Sequence, residues 1–255
     1  MKLEIPIFVI SLPNEHNRRS FIEASFAQKK IKFSFFDAYD GKKLPEAKIK
    51  EILSEKNILD SVGRFFSKGE IGCCLSHLGI YKKMIEENID LAVIFEDDIE
   101  IISDHFFAIL KKISDKNNLN PKITLLTQVI SYLSKKNHHI FDNFETCYMV
   151  QAYSAAGYII NLQAAKQMLK TNQPIWILAD DWQRYRKEAK IEIECLVPHI
   201  IAEHEIAKNS SIVPKRKQLK KIRSLRYRIS RFINKGLLEL KKIFLYKPFM
   251  GYKKN

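Results

Sequence analysis

Two short apolar, β-branched runs flanking a single helical stretch fill the first forty residues, and that spacing constrains the fold more than any other feature of the chain. Residues 5–12 (IPIFVISL) have the composition of a strand buried on both faces, ended by Pro13 and Asn14. Residues 17–30 place Phe21, Ile22, Ser25 and Phe26 at helical spacing, and residues 32–38 (KFSFFDA) read as a second strand closed by Asp40-Gly41. Strand, helix and strand over so short a distance imply a right-handed crossover and a parallel pair. The alternation continues. Helical patterns cover residues 44–59, 68–88, 106–113, 162–170 and 180–190, and strand patterns cover 91–95, 123–127, 147–153, 156–161 and 191–196. Residues 128–145 carry no clear pattern, and 198–211 look irregular. The expected class is α/β with a mainly parallel sheet, in which ligands bind beyond the carboxyl ends of the strands.

Charge divides the chain in two. From Lys208 to the end there are 16 Lys or Arg and one acidic residue, Glu239, a net charge of +15, whereas the rest carries 27 basic and 28 acidic residues. The body is therefore close to neutral, which excludes a uniformly basic nucleic-acid-binding domain. Hydrophobic residues make up 46%, enough to bury a core and inconsistent with disorder throughout. Cys73, Cys74, Cys147 and Cys195 include no C-x-x-C pair, so neither a zinc ribbon nor a disulfide framework is indicated and a reducing compartment is expected. The first apolar run is interrupted by Glu4 and Pro6 and lacks a small-residue cleavage site, so it does not read as a signal peptide. No apolar run is long enough to span a bilayer.

The sharpest chemical feature is Glu96-Asp97-Asp98, three acids directly after the buried run 91–95. In an extended segment residues two apart point the same way, so Glu96 and Asp98 are expected to converge as ligands for Mg²⁺ or Mn²⁺. A solvated acidic loop is the plain alternative. A second feature is Gly69-Glu70-Ile71-Gly72-Cys73-Cys74-Leu75-Ser76-His77, where small residues near a helix start permit close approach of a ligand or a strand. His77 suits a phosphate or sugar hydroxyl, and equally a packed, hydrogen-bonded core position. Arg18 and Arg19 follow the first strand within about a turn and could grip a diphosphate, or simply face solvent. Asp180-Asp181-Trp182 opens a helix late in the chain, where an acid serves either as a cap or as a general base. Trp176 and Trp182 suit a sugar face or the core, and His199 and His204 are candidate late ligands. G-x-G-x-x-G, the P-loop, G-x-S-x-G and H-E-x-x-H are all absent.

The order of these motifs resembles glycosyltransferase family 25, the bacterial lipooligosaccharide β-galactosyltransferases to which collagen galactosyltransferases are related. The residues that carry the resemblance are Phe8-Val9-Ile10-Ser11-Leu12 with Arg18-Arg19, Phe35-Phe36-Asp37-Ala38, Gly72-x-x-x-Ser76-His77, Val93-Ile94-Phe95-Glu96-Asp97-Asp98, and Ala156-Gly157-Tyr158-Ile159-Ile160 with Ala164-Ala165. It covers roughly residues 5–212, with Pro198 and Ser210-Ser211-Ile212 fitting its final block. The resemblance implies a GT-A-like nucleotide-sugar-binding fold and an inverting transfer, commonly from UDP-galactose, to a lipooligosaccharide or LPS glycolipid acceptor. It implies a Mn²⁺ or Mg²⁺ ion on Asp98 and Glu96, with Ser11, Leu12, Arg18, Arg19, Asp37, Ser76, His77 and Asp97 on the donor side. It places the acceptor-activating base at Asp180 or Asp181.

Domains are accordingly expected at 1–212 and 213–255. In the latter, Ile222, Leu225, Ile229, Phe232, Ile233, Leu237, Leu240, Ile243 and Phe244 recur at mostly three- and four-residue steps with Lys and Arg between them. That is the pattern of an interfacial helix on an anionic membrane, and also of a helix packed on the body. With the resemblance it suggests a cytoplasmic protein peripheral to the inner face of the bacterial inner membrane. The competing class is a non-enzymatic adaptor that binds membrane or nucleic acid through this basic segment.

Overall fold

The computed structural model describes residues 5–115, 120–205, 232, 236, 239, 240 and 251–254. β1 (Ile7–Ser11) is buried at every position and runs parallel to both β2 (Ser34–Asp37) and β3 (Leu91–Glu96). α1 (His16–Gln28) makes the crossover from β1 to β2, burying Ile22 and Phe26, and the Phe26 ring meets Phe95 of β3 edge to face at 5.9 Å. The chain then forms α2 (Glu46–Ile52), α3 (Glu55–Val62) and the long α4 (Lys68–Glu86) before β3. After β3 come β4 (Ile99–Ile101), α5 (Phe106–Asp115), β5 (Lys122–Leu125), β6 (Ser131–Phe141) and β7 (Phe144–Gln151). β8 (Gly157–Asn161), α6 (Leu162–Thr171), α7 (Trp182–Glu188), β9 (Glu192–Val197), β10 (Ile201–Glu203) and β11 (Tyr252–Lys254) complete the described elements.

Nine strands form one sheet in the order β11-β6-β7-β9-β5-β8-β3-β1-β2. Among the six from β9 to β2, β8 alone is reversed, pairing antiparallel with both β3 and β5. The expected parallel direction thus holds for the central strands, while the whole sheet is mixed because β7, β6 and β11 extend it as antiparallel ladders. Alternate residues of β1 and β3 enter two separate cores. Phe8, Ile10, Ala92 and Ile94 pack with α4, α6 and α7, and Ile7, Val9, Val93 and Phe95 pack with α1 and α5. A sheet covered on both faces explains why these strands read as unbroken apolar runs.

The start of α4 is fixed by a capping box. Ser67 Oγ accepts from the Glu70 amide, and the Glu70 carboxylate accepts from the Ser67 amide. Glu70 is also paired with Arg64 at 2.6 Å in a nearly solvent-free setting. Removing either partner of such a pair typically costs about 3–5 kcal/mol.

Three expectations are corrected. Residues 44–59 form two helices rather than one, separated where Leu53 bridges Ile175 and the Ser54 amide donates to Ile175 O. Residues 128–145 contain β6, whose central positions are exposed and whose pairing to β7 shifts register at several points. Within 198–211, β10 pairs antiparallel with β4 directly beyond the acidic triplet.

Most of the 213–255 segment, including the bulk of the predicted amphipathic helix, lies outside the described residues. Phe232, Gly236, Glu239 and Leu240 are helical, with Phe232 and Leu240 exposed. The chain end returns to the body, because residues 252–254 form β11 on the edge of β6. No helix among the described residues is long and apolar enough to cross a membrane.

Candidate active site

A cleft of about 350 Å³ opens at the carboxyl ends of β1 and β3, walled by the first half of α4 and by the loop after β2. Its position is the one expected of a ligand site in an open α/β sheet. Two glycines bring the loop and helix together. A Cβ on Gly72 would stand 2.4 Å from Tyr39 O, and one on Gly41 would stand 1.7 Å from Lys68 O. Ser76 clamps the same contact, its Oγ accepting from the Tyr39 amide and donating to Gly72 O.

The acidic triplet lies on the cleft floor, but not as an extended run. Glu96 is the last residue of β3, and Asp97 and Asp98 form a turn into β4. Asp97 accepts from Ser11 Oγ at 2.6 Å and from Arg18 Nη1 at 2.6 Å, and the same Arg18 nitrogen reaches Asp98 at 3.2 Å. Glu96 thus ends the strand while Asp98 sits in the turn, and one Arg18 nitrogen pairs with both aspartates. Burial, then the nearby Glu96 charge, pushes the Asp98 carboxyl up to about 7 against the pull of Arg18. Carboxylates crowded at low exposure are a cluster that a cation would relieve, so the residues fit a divalent ion.

Of the predicted donor residues, Ser11, Leu12, Arg18, Ser76, His77 and Asp97 line this cleft together with Glu96 and Asp98. Arg19 and Asp37 do not. They pair with each other, while Arg19 also donates to Ser11 O at 2.9 Å and Leu12 O at 3.2 Å and lies over the Phe35 ring. Arg19 thus braces the β1–α1 turn from behind instead of facing the cavity. His77 is buried, shares a 2.7 Å hydrogen bond with Tyr158 OH, and presents Nε2 to Glu96 Oε1 at 3.4 Å.

The two late aspartates have different surroundings. Asp181 caps α7, accepting from the Arg184 amide at 3.2 Å and from Arg184 Nε at 2.9 Å. Asp180 does not itself line the cleft; burial raises the Cys73 and Cys74 thiols, and the nearby Asp180 charge adds to that. Trp182 is fully buried with its Nε1 donating to Ser154 O, and Trp176 donates to Thr171 O, so the fold uses both rings internally. His204 stacks on Phe21 at 4.2 Å, and its amide donates to Asp98 O.

Sequence reasoning did not assign Tyr39, Asp40, Lys42 or Cys73, all of which line the cleft. The Asp40-Gly41 turn and the four-residue step from Cys73 to His77 were the available signals. The four cysteines are free thiols.

The model of glycosyltransferase family 25 (LPS biosynthesis protein) matches residues 4–183, a stretch that includes the whole cleft and both late aspartates. A procollagen galactosyltransferase of Xenopus laevis is 28% identical over 187 residues, covering 69% of this chain and 30% of that protein. A lipooligosaccharide biosynthesis protein of Haemophilus influenzae is 29% identical over 167 residues, covering 63% of this chain and 61% of its own length. A putative glycosyltransferase of the same species is 31% identical, over 68% of this chain and 60% of that one. The chain thus spans less than two thirds of each of these relatives, and the family match stops short of β9, β10 and the basic segment. The cleft motifs lie in order within the matched stretch, and the chain belongs to glycosyltransferase family 25.

Proposed function

We propose that this chain is an inverting glycosyltransferase with a GT-A-like fold, moving a sugar from a UDP-sugar, UDP-galactose in the first instance, to a lipooligosaccharide or LPS acceptor. The observation that supports it is the carboxylate turn at the end of β3, held on the cleft floor by Ser11 and Arg18, in a member of this family. Glu96 and Asp98 would hold Mn²⁺ or Mg²⁺, which when bound offsets negative charge on a departing diphosphate. Asp97 orients the turn through Ser11 and Arg18. Arg18, and Lys42 from the facing loop, bring positive charge to the same cleft. Asp180 is the group read as taking the acceptor proton. An in-line single displacement needs no covalent enzyme nucleophile, and Cys73, the thiol in the cleft, is pushed well above its ordinary value by burial and Glu96.

The test is a donor screen. UDP-galactose, UDP-glucose and UDP-N-acetylglucosamine are offered with a lipooligosaccharide acceptor, with and without Mn²⁺. Transfer from one donor that disappears in EDTA supports the reading. No turnover with any donor overturns it and leaves the adaptor class.

The basic segment is read as a membrane contact, placing the enzyme at the cytoplasmic face of the inner membrane, where a glycolipid acceptor is accessible. Attraction to acidic lipid is worth about 1 kcal/mol per basic residue at the surface, and salt screens part of it. The full chain is expected to sediment with anionic vesicles, to be released only in part by high salt, and to ignore neutral vesicles. Equal partitioning onto both kinds would remove the electrostatic anchor.

A further inference from the structure

We propose that Cys73, His77 and Glu96 form a site for a thiophilic divalent cation of the Zn²⁺ class, separate in chemistry from the oxygen-ligand site on Glu96 and Asp98. Cys73 and His77 are one helical turn apart on α4 and lie on the same face. That face meets the end of β3, so a thiol sulfur, an imidazole nitrogen and a carboxylate oxygen all lie within 4.8 Å of one another. Nε2 of His77 is 3.4 Å and Sγ of Cys73 is 3.9 Å from the same oxygen, Glu96 Oε1. Around a tetrahedral zinc with bonds of about 2.0–2.3 Å, ligand atoms stand roughly 3.3–3.6 Å apart. The two separations to Glu96 need only a few tenths of an ångström of contraction, and the Cys73–His77 separation, within 4.8 Å, needs at most about an ångström, within reach of a side-chain rotation.

The surroundings match what a metal-binding histidine requires. With Nδ1 protonated, it donates to Tyr158 OH, and Tyr158 in turn shares a 2.7 Å hydrogen bond with Tyr81 OH, both phenols being buried. This fixes the ring and leaves the Nε2 lone pair aimed at the Glu96 carboxylate. In the other tautomer an Nε2 proton is donated to Glu96, and a cation bound here takes that proton's place between the two atoms. The thiol of Cys73 on the third side favours a cation of thiolate and imidazole preference over Mg²⁺ or Mn²⁺. Cys73, His77 and Glu96 all line the cleft, so an ion has an entry path and a fourth position open to solvent or ligand. Binding forms the sulfur–metal bond and releases the thiol proton to water. Glu96 is common to both sites, so an ion seated here draws it away from Asp98.

The test uses Co²⁺ alone as probe on the full-length, metal-stripped protein, independently of any turnover. One equivalent is expected to give a thiolate-to-cobalt charge-transfer band in the near ultraviolet with visible bands of tetrahedral intensity, and Zn²⁺ should displace it. Cys73→Ser should abolish the charge-transfer band, while Cys74→Ser, whose thiol faces Ile177 O, should keep it. Tyr158→Phe should weaken Co²⁺ binding by about 10–100-fold, the usual effect of losing a ligand's hydrogen-bond partner. Asp98→Asn should retain the band. Circular dichroism checks that each variant is folded. Absence of the band in the wild type, its survival in folded Cys73→Ser, or its loss in Asp98→Asn instead overturns the proposal.

Discussion

Asp98→Ala is expected to lower glycosyl transfer by about 10³-fold or more while the protein still folds. A cation's share of charge stabilisation at a departing diphosphate amounts to several kcal/mol, and each 1.4 kcal/mol is about tenfold in rate. The fold should tolerate the change because Asp98 is not what anchors the turn. Asp97 keeps its bonds to Ser11 and Arg18, the Asp98 backbone oxygen keeps the His204 amide, and β4 keeps its pairing to β10. The carboxylate removed is itself unfavourably placed, half-buried and crowded by Glu96. The unfolding midpoint should therefore fall little or rise slightly. Turnover and a urea melt, measured on the same preparation, decide it. Near-normal turnover in folded Asp98→Ala, or wild-type turnover unaffected by EDTA, removes the metal from the mechanism.

The βαβ start and β3 were legible because strands covered on both faces carry their burial in a continuous run, and IFVIS and LAVIF are such runs. β6 was not, because its middle, Ser134 to His139, is exposed and polar and its register on β7 slips, so no period of two survives. β8 was seen as a strand, but its reversal could not be. Direction depends on how the chain returns from the β6–β7 hairpin, and GYIIN is apolar in either sense. β10 and β11 are three residues each, below the length at which a pattern can be distinguished from chance.

At the site, the acidic triplet and the Ser76-His77 pair were visible as residues, but their use depended on geometry. Arg18 and Arg19 look interchangeable in sequence. A helix turns about 100° per residue, and that rotation sends Arg18 to the triplet and Arg19 to Asp37 and the β1 carbonyls. Cys73 stands within the Gly69–His77 feature, but nothing in the sequence gives its thiol a role. Only the packing of α4 on β3 brings its sulfur to Glu96. Helical spacing from His77 was the available signal, and it becomes informative once that helix face is known to look into a cleft.

Asp180 and Asp181 differ in their place at the start of α7, one in the preceding turn and one at the cap, and that difference supports the second large prediction. Asp181 is committed to α7, where its carboxylate caps the helix and holds Arg184. Asn caps a helix about as well as Asp, so Asp181→Asn should lose only the partly exposed ion pair, worth roughly 0–1 kcal/mol, and leave turnover within a few-fold of wild type. Asp180 precedes the cap, and its charge is felt by Cys73, which lines the cleft. As the general base, it should cost about 10²–10⁴-fold in kcat when changed to Asn, with the Kd for UDP unchanged because the donor side is untouched. Both variants should melt within a few degrees of wild type, which keeps a folding defect from imitating a catalytic one. A large loss in Asp181→Asn with Asp180→Asn near normal reverses the assignment. Near-normal turnover in both moves the base away from this segment.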